Sequence, residues 1–374
     1  MSRRSLFSTS LLIALVLSLS FVWSGCENSA DITAPGVEET QDQSTFSPVV
    51  QQFEAVMRLQ ERETSRFMKM PGVVGTATGL NDAGEPVIQI LTERAMTMGR
   101  LPRQIDGVEV VEVVTGKIVA MKGKPGGGGG GVSHTAIQTP PISLGTSGGW
   151  EFDLANGYCC GGTLGSLISK GGKQYIMSNY HVLEADIVNG GNGRTASNGD
   201  PVIQPALIDI NCDAGNAQTV ATLQVMNALP NNNVDVAIAE VESGMVKSDG
   251  SILEIGTISS STVAAFVGQD VKKSGRTTGL ARSSVSGLNA TVSITYENEC
   301  AGGTAFTKTF TGQIVIKNKR SKFLAGGDSG SLMVEDVSNN PRAVGLLFAG
   351  SSRTAIANPI GDVLSFLNAS MVGN

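Results

Sequence analysis

Residues 163–179 read TLGSLISKGGKQYIMSN, two short apolar runs joined by Lys170-Gly171-Gly172-Lys173. A glycine pair between two such runs is typical of a β-hairpin. The same alternation of short apolar runs with Gly, Asn and Ser turns continues toward the C terminus, over residues 201–203, 220–225, 234–240, 290–296, 306–316, 331–334 and 343–348. Many short strands at this spacing predict a mainly β barrel or sandwich. A closing helix is predicted over residues 358–367, with Pro359 near its start.

Composition agrees with a β-rich protein that has an ample core. Of the 374 residues, 47 are glycine and 41% are hydrophobic, which favours many turns over long helices. The formal net charge is −6. Nucleic acid is excluded as the main partner, because phosphate binding requires clustered Lys and Arg and the sequence has no such cluster.

Residues 48–121 predict a small α+β domain ahead of the barrel. Apolar residues follow a helical spacing over 48–69, and Pro71-Gly72 ends this helix. Three strands are predicted after it, over residues 73–80, 86–92 and 108–114. A flexible linker over residues 122–133, with unbroken glycine at 126–131, then leads to the barrel domain at 134–374. The small domain is either a plain spacer or a pro-segment that assists folding or blocks an active site.

The first residues predict export. Arg3 and Arg4 precede an apolar run over residues 6–22, which is typical of a signal peptide over residues 1–25. The run ends at Trp23-Ser24-Gly25-Cys26, which resembles the lipobox of bacterial lipoproteins. That resemblance implies a lipid on Cys26, a polar tether over residues 26–47, and a place in the bacterial cell envelope, at the outer membrane or in the periplasm. An ordinary cleaved signal peptide is the alternative.

The remaining cysteines are Cys159, Cys160, Cys212 and Cys300. An even number in an exported chain indicates disulfide bonds. A bond between the two adjacent cysteines would be strained, so each is expected to pair with one of the distant two. A metal site is the alternative, but no Cys-x-x-Cys spacing supports it, and we predict no metal.

The sequence has only two histidines, His134 and His181. A hydroxyl nucleophile needs a neighbouring base, and histidine is the usual one. His134 follows the glycine linker, where we expect nothing rigid to hold it. His181 directly follows the apolar strand predicted over residues 174–179, so it is the stronger candidate for a positioned base.

Two further segments complete a catalytic pattern. Ser329 lies in Gly326-Gly327-Asp328-Ser329-Gly330, where glycine permits a sharp turn and a close approach of a substrate carbonyl to main-chain N–H groups. Asp235 interrupts the apolar stretch after Asn231-Asn232-Asn233, and a carboxylate there needs a partner. Each segment alone could be an ordinary turn. The order His181, Asp235, Ser329 is that of the chymotrypsin triad.

Together with Gly162-Thr163-Leu164-Gly165 and Gly275-Arg276-Thr277-Thr278-Gly279, these segments resemble the chymotrypsin-like serine proteases, in particular the bacterial trypsin-like branch, over about residues 160–370. The resemblance implies a double β-barrel and a peptide-bond hydrolase without a cofactor. It assigns His181 as base, Asp235 as its orienting carboxylate, and Ser329 as nucleophile. It also assigns the N–H groups of Gly327 and Ser329 to the oxyanion hole. No activation site that would give Asp328 a new amine partner is evident.

The resemblance extends to the substrate. It implies that Phe348, Ala349 and Gly350 pair with a protein or peptide substrate and that Phe323 forms the pocket floor. An apolar floor disfavours Lys and Arg, since an unpaired buried charge is costly, so small or apolar residues are expected before the cleaved bond. Two alternatives stay open: a non-catalytic peptide- or protein-binding barrel, and a protease that acts mainly on itself, near the glycine linker.

Overall fold

The computed structural model of the protein describes residues 48–121, 132–155, 158–184, 194–296 and 306–374. The predicted signal peptide and tether with Cys26, the glycine run of the linker, and Cys300 lie outside these residues. Among the helices in the described ranges, none combines the length and the apolar character needed to cross a membrane.

The N-terminal elements match the predicted helix and strands. Their bounds are α1 Pro48–Phe67, β1 Val73–Leu80, β2 Pro86–Thr92, β3 Gln104–Ile105, β4 Val108–Val114 and β5 Val119–Ala120. The three strands predicted in this region are confirmed at these bounds, and the helix ends two residues before Lys69. One face of α1 is buried through Val56, Leu59 and Phe67, which form an apolar cluster with Ile88 and Ile90 of β2.

The remainder of the described chain is built mainly of strands. In chain order these are β6 Thr146–Trp150, β7 Leu154–Ala155, β8 Tyr158–Cys159, β9 Gly162–Leu164, β10 Ser166–Lys170, β11 Lys173–Ser178, β12 Pro201–Gln204, β13 Gln218–Gln224, β14 Ala237–Val241, β15 Asp270–Lys273, β16 Ala281–Tyr296, β17 Phe306–Lys317, β18 Leu332–Glu335, β19 Ala343–Gly350, β20 Thr354–Pro359 and β21 Ser370–Met371. The helical pieces are α2 Tyr180–Leu183, α3 Ile360–Leu367 and short 3-10 turns at Leu207–Asp209, Ala214–Asn216 and Lys319–Ser321. The predicted mainly β fold with a C-terminal helix is confirmed.

The described strands form two large sheets. One is 8-stranded, in the order β21-β10-β11-β14-β13-β12-β6-β9. The other is 11-stranded, in the order β15-β18-β19-β20-β17-β16-β1-β2-β4-β3, with β5 pairing to β16 and β19. The small α+β segment is therefore continuous with the larger sheet, because β1 pairs antiparallel with β16, with Gly75 opposite Val292.

Neighbouring strands determine where the candidate residues lie. In the 8-stranded sheet β11 pairs antiparallel with β14, with Ser178 opposite Ala237. His181 follows the end of β11 and Asp235 precedes the start of β14. Because the two strands are antiparallel, both residues lie at the same end of this strand pair. Ser329 precedes β18 in the other sheet. Thr163 of β9 donates its N–H to Ser329 O at 2.9 Å, which joins the two sheets at this point.

A disulfide bond connects Cys159 at the end of β8 with Cys212, 53 residues later. It confirms that Cys159 pairs with a distant cysteine rather than with its neighbour. Cys159 lies in a small apolar cluster with Ile203, Ala206 and Leu207. The bond therefore joins β8 to the segment after β12, beside the edge of the 8-stranded sheet.

Candidate active site

His181 and Asp235 form a buried hydrogen-bonded pair. His181 Nδ1 lies 2.6 Å from Asp235 Oδ2, and the two residues are 3% and 0% exposed. The backbone N–H of His181 also approaches Asp235 Oδ1, at 3.4 Å. Because a carboxylate only accepts hydrogen bonds, Nδ1 is the donor here, and in the neutral imidazole Nε2 is then the nitrogen with the lone pair. Among the residues that the structure describes, buried Nε2 has no hydrogen-bond partner.

Three side chains fix Asp235 in this position. Tyr296 at the end of β16 donates its hydroxyl to Asp235 Oδ2 at 2.8 Å. Asn358 accepts from the backbone N–H of Asp235 at 2.9 Å, and Asn179 donates to its carbonyl at 2.6 Å. Burial and the charge of Asp235 raise the pKa of Tyr296 well above its ordinary value, so the phenol stays a donor. Sequence patterns did not identify Tyr296 or Asn358, because each lies in an ordinary strand segment far along the chain.

Ser329 lies in the predicted sharp turn and is fully buried. The turn needs glycine at Gly327, which has φ +100°, and a Cβ there would lie 2.5 Å from Thr277 Oγ1. A Cβ on Gly162 would lie 2.6 Å from Val182 and 3.0 Å from Ser329 O. The segment that contains His181 and the turn that contains Ser329 therefore approach each other at Gly162. The Ser329 hydroxyl donates to the carbonyl of Phe348 at 3.1 Å.

Asp328, next to the candidate nucleophile, pairs with an internal lysine. Lys273 Nζ lies 2.9 Å from Asp328 Oδ1, and both side chains are fully buried. Burial opposes ionisation of Asp328, but the ammonium of Lys273 and hydrogen bonds from Lys273, Ala325 and Thr278 outweigh it and lower its pKa. A buried counter-charge for Asp328 is thus present within the folded chain, without a new N-terminal amine.

The Gly275–Gly279 run supports the same turn. The backbone N–H groups of Thr277 and Thr278 donate to Asp328 Oδ1 at 2.9 and 3.1 Å, and Thr277 Oγ1 donates to Gly326 O at 2.7 Å. Arg276 is buried and makes a two-point ion pair with Asp209, with N···O distances of 2.7 and 2.6 Å. Through these contacts the run holds the turn that carries Ser329 in place.

Gly327 of the predicted oxyanion hole and the predicted substrate residues contact residues 119–121 of the chain. The N–H of Gly327 donates to Met121 O at 2.7 Å, and Phe348 O accepts from Met121 N at 3.1 Å. Ala349 and Gly350 pair antiparallel with β5. Phe323 is 2% exposed and belongs to the apolar cluster that contains Met121. The residues with a predicted role in substrate binding therefore hold a segment of the chain itself.

The expectation that nothing rigid holds His134 was wrong. It is 6% exposed, with Nδ1 2.8 Å from Gly145 O and Nε2 2.6 Å from Glu254 Oε2. Its backbone carbonyl also accepts from Ser147 N at 2.8 Å. Pairing with strand β6 fixes this residue despite the preceding glycines. His134 thus connects three segments of the barrel, and both of its ring nitrogens are used in doing so.

Comparisons with known proteins give one family match. The model of the Nal1 C-terminal domain matches residues 225–358, less than half of the chain. That range contains Asp235, Gly327 and Ser329 but not His181. Among curated proteins, no sequence matches this chain.

Solved structures similar to this chain include serine proteases. A glutamic acid-specific serine protease that uses a histidine triad in substrate binding has 19% identity and a TM-score of 0.40, and the match covers 62% of this chain and 100% of that one. Protease A of Thermobifida fusca has 18% identity and a TM-score of 0.39, over 62% and 99% of the two chains. The chymotrypsin of Cellulomonas bogoriensis has 17% identity and a TM-score of 0.39, over 62% and 99%.

Proposed function

We propose that this protein is a serine endopeptidase that hydrolyses peptide bonds through His181, Asp235 and Ser329. The observation that carries the proposal is the 2.6 Å hydrogen bond between His181 Nδ1 and Asp235 in a buried setting. It leaves Nε2 without a hydrogen-bond partner among the described residues, and the glycine-rich turn with Ser329 approaches the segment that follows His181 at Gly162. A histidine held in this tautomer and placed next to a hydroxyl is the arrangement that activates a weak nucleophile.

The proposed steps use only groups of the chain and water. The Ser329 hydroxyl rotates away from Phe348 O, and His181 Nε2 takes its proton as Oγ attacks a substrate carbonyl. Asp235 stabilises the imidazolium, and the N–H groups of Gly327 and Ser329 stabilise the oxyanion. His181 then protonates the leaving amine, and water hydrolyses the acyl-enzyme by the reverse sequence of proton transfers.

Labelling with a fluorophosphonate probe tests the nucleophile. Wild type should be labelled, and peptide mapping should place the adduct on Ser329. Ser329→Ala should not be labelled, and its rate of peptide hydrolysis should fall by about 10⁴- to 10⁶-fold. Ser243→Ala is the matched control, because Ser243 is exposed on a loop of the same domain. A binding module without activity would leave the wild type unlabelled and unable to cut any peptide.

A peptide library tests the proposed specificity. Phe323 is 2% exposed within an apolar cluster that also contains Leu324 and Val344. Such a pocket leaves a charged side chain unpaired, which disfavours Lys and Arg. We expect cleavage after small or apolar residues. A profile dominated by cleavage after Arg or Lys would be incompatible with this pocket.

The proposed location rests on the sequence around Cys26. A predicted signal peptide over residues 1–25, followed directly by Cys26 in the run Trp23-Ser24-Gly25-Cys26, supports export and attachment of lipid to that cysteine. Cys26→Ser should release the protein from membranes into the soluble fraction, whereas Cys26 with an altered tether sequence should stay bound. Unchanged membrane association of Cys26→Ser would show that the lipid is not the anchor.

A further inference from the structure

Residues 118–121 of the same chain, here termed the cleft segment, lie close to Ser329, because Met121 N and Ser329 Oγ both donate to Phe348 O. Val119 lies opposite Gly350 and Ala120 opposite Ala349 in an antiparallel pairing with β19. The pairing continues at Met121, whose N–H donates to Phe348 O at 3.1 Å. An extended peptide recognised along a strand edge makes this type of contact. The cleft segment therefore lies where the proposed function requires a substrate strand.

The carbonyl of Met121 lies in the proposed oxyanion site. Its oxygen accepts the N–H of Gly327 at 2.7 Å, within the distance that an oxyanion donor needs. Gly327 is two residues before Ser329 in the same tight turn. A purely structural role for this strand would explain its pairing with β19. It would not explain why the Met121 carbonyl accepts a hydrogen bond from Gly327 N–H, the group proposed to form the oxyanion hole.

The side chain of Met121 fills an apolar site. It is 9% exposed and clusters with Phe323 and Leu324. Phe323 is the residue predicted to form the pocket floor. A long, unbranched apolar side chain suits such a pocket, because methionine adapts its shape at little cost. The chemistry of the occupant therefore agrees with the specificity proposed for the enzyme.

Contacts on both sides hold the cleft segment in this register. Thr295 of β16 donates its N–H to Ile118 O at 3.1 Å, and Ser351 Oγ donates to Thr115 O at 2.6 Å. Ile118 is 1% exposed in the main apolar core. The segment is thus bound through main chain and side chains over its whole length, as a well-positioned substrate would be.

We infer that the chain is its own substrate and that Ser329 cleaves the peptide bond after Met121, an inference that rests on the proposed function. Ser329 Oγ forms an ester with the Met121 carbonyl carbon as the bond from that carbon to the next nitrogen breaks. The Ser329 proton passes through His181 to the leaving amine. Water then hydrolyses the ester, so the products are a carboxylate on Met121 and a new amino terminus reading Lys-Gly-Lys-Pro.

Intact-mass measurement and amino-terminal sequencing of purified protein test this inference. Wild type should yield one cut, with a fragment ending at Met121. Ser329→Ala should remain intact, also when mixed with wild type, because its own cleft segment shields the bond. Met121→Leu should be cut like wild type. Met121→Asp should lose the cut and be labelled faster by the fluorophosphonate probe, because a charge in the apolar pocket expels the segment.

Met98→Asp is the matched control. Met98 is 98% exposed and belongs to the same N-terminal segment, so this variant should be cut like wild type. A wild type that is labelled at Ser329 and hydrolyses peptides, yet stays intact after Met121 or is cut elsewhere, would overturn the inference and leave the proposed function standing. Cleavage after Met121 in purified Ser329→Ala, without wild type present, would also overturn the inference. Absence of labelling, hydrolysis and the cut together would overturn both.

Discussion

Tyr296 is the side chain that shares Asp235 with His181, and its role can be measured. Tyr296→Phe keeps the ring and removes one hydrogen bond to a charged group, which is worth about 1.5–3 kcal/mol. Because Asp235 would orient His181 less firmly, we expect kcat to fall roughly 10- to 100-fold while KM stays the same. Tyr175→Phe is the matched control, since Tyr175 lies in β11 opposite Glu240. Equal kinetics for the two variants would contradict this role.

Glu184, three residues after His181, gives the molecule a specific pH dependence. It is 2% exposed, and burial raises its pKa to about 7 from 4.5, although the N–H groups of Met226 and Asn227 oppose the shift. Its contribution to stability is fully present below pH 4.5, where the carboxyl is neutral in folded and unfolded chains. It is lost as the pH rises toward 7, because the unfolded chain ionises first.

Glu184→Gln removes this titration. Relative to the variant, the free energy of unfolding of wild type should fall by up to about 3 kcal/mol between pH 4.5 and pH 8. Urea denaturation of both proteins at the two pH values measures the change. A difference in stability between wild type and variant that stays constant across this range would show that Glu184 ionises as an ordinary carboxyl does.

At the scale of elements, the turn before β18 depends on a charge supplied by β15. Lys273→Met leaves Asp328 buried without its counter-ion, which costs about 3–5 kcal/mol, and the distorted turn should no longer be labelled by the probe. Lys273→Met with Asp328→Asn should recover part of the stability, because neither charge is then left alone. Lys173→Met is the matched control: its pair with Glu240 is 60% and 40% exposed, and such pairs contribute at most about 1 kcal/mol. Equal stability of the two single variants would contradict the role of Lys273.

Strand β15 could not be predicted from the sequence, whereas other elements could. The hairpin over residues 163–179 and the strands of residues 73–114 could be predicted, since local periodicity and turn residues specify them. Strand β15, Asp270–Lys273, was missed because its charged residues are typical of an exposed loop, yet Lys272 is 5% and Lys273 0% exposed. The run predicted as one strand over 163–169 is divided at Gly165, where a Cβ would clash with Gly330 O. Long-range packing, not local preference, determines both features.

At the scale of the molecule, the long-range pairings join what the sequence presents as separate parts. The sequence could single out His181, Asp235 and Ser329 as candidates, because histidine is rare here and the glycine-rich turn is distinctive. Their supports were not, since Tyr296, Asn358 and Lys273 become neighbours only through sheet pairing. The same holds for β1 and β16, which pair across about 200 residues. Local pattern carries no information on such contacts until the fold is known.

The shared sheet predicts that residues 48–121 unfold together with the barrel. Calorimetry of Ser329→Ala, which keeps the chain intact, should give one transition.

Gly75→Ala in the Ser329→Ala background places a Cβ 2.7 Å from Thr291 O and should lower stability by about 1–3 kcal/mol, because β1 must move off β16. Gly361→Ala is the matched control: Gly361 is an exposed position of α3 where a Cβ meets nothing within 4 Å, and alanine should stabilise that helix by about 0.5–1 kcal/mol. Strand β5 pairs with β16, as β1 does, and it also pairs with β19 next to Ser329. Gly75→Ala in a chain that retains Ser329 should therefore be labelled faster by the fluorophosphonate probe than wild type. An early, separate transition for residues 48–121, with labelling unchanged, would mean that the sheet joins the two parts without coupling them.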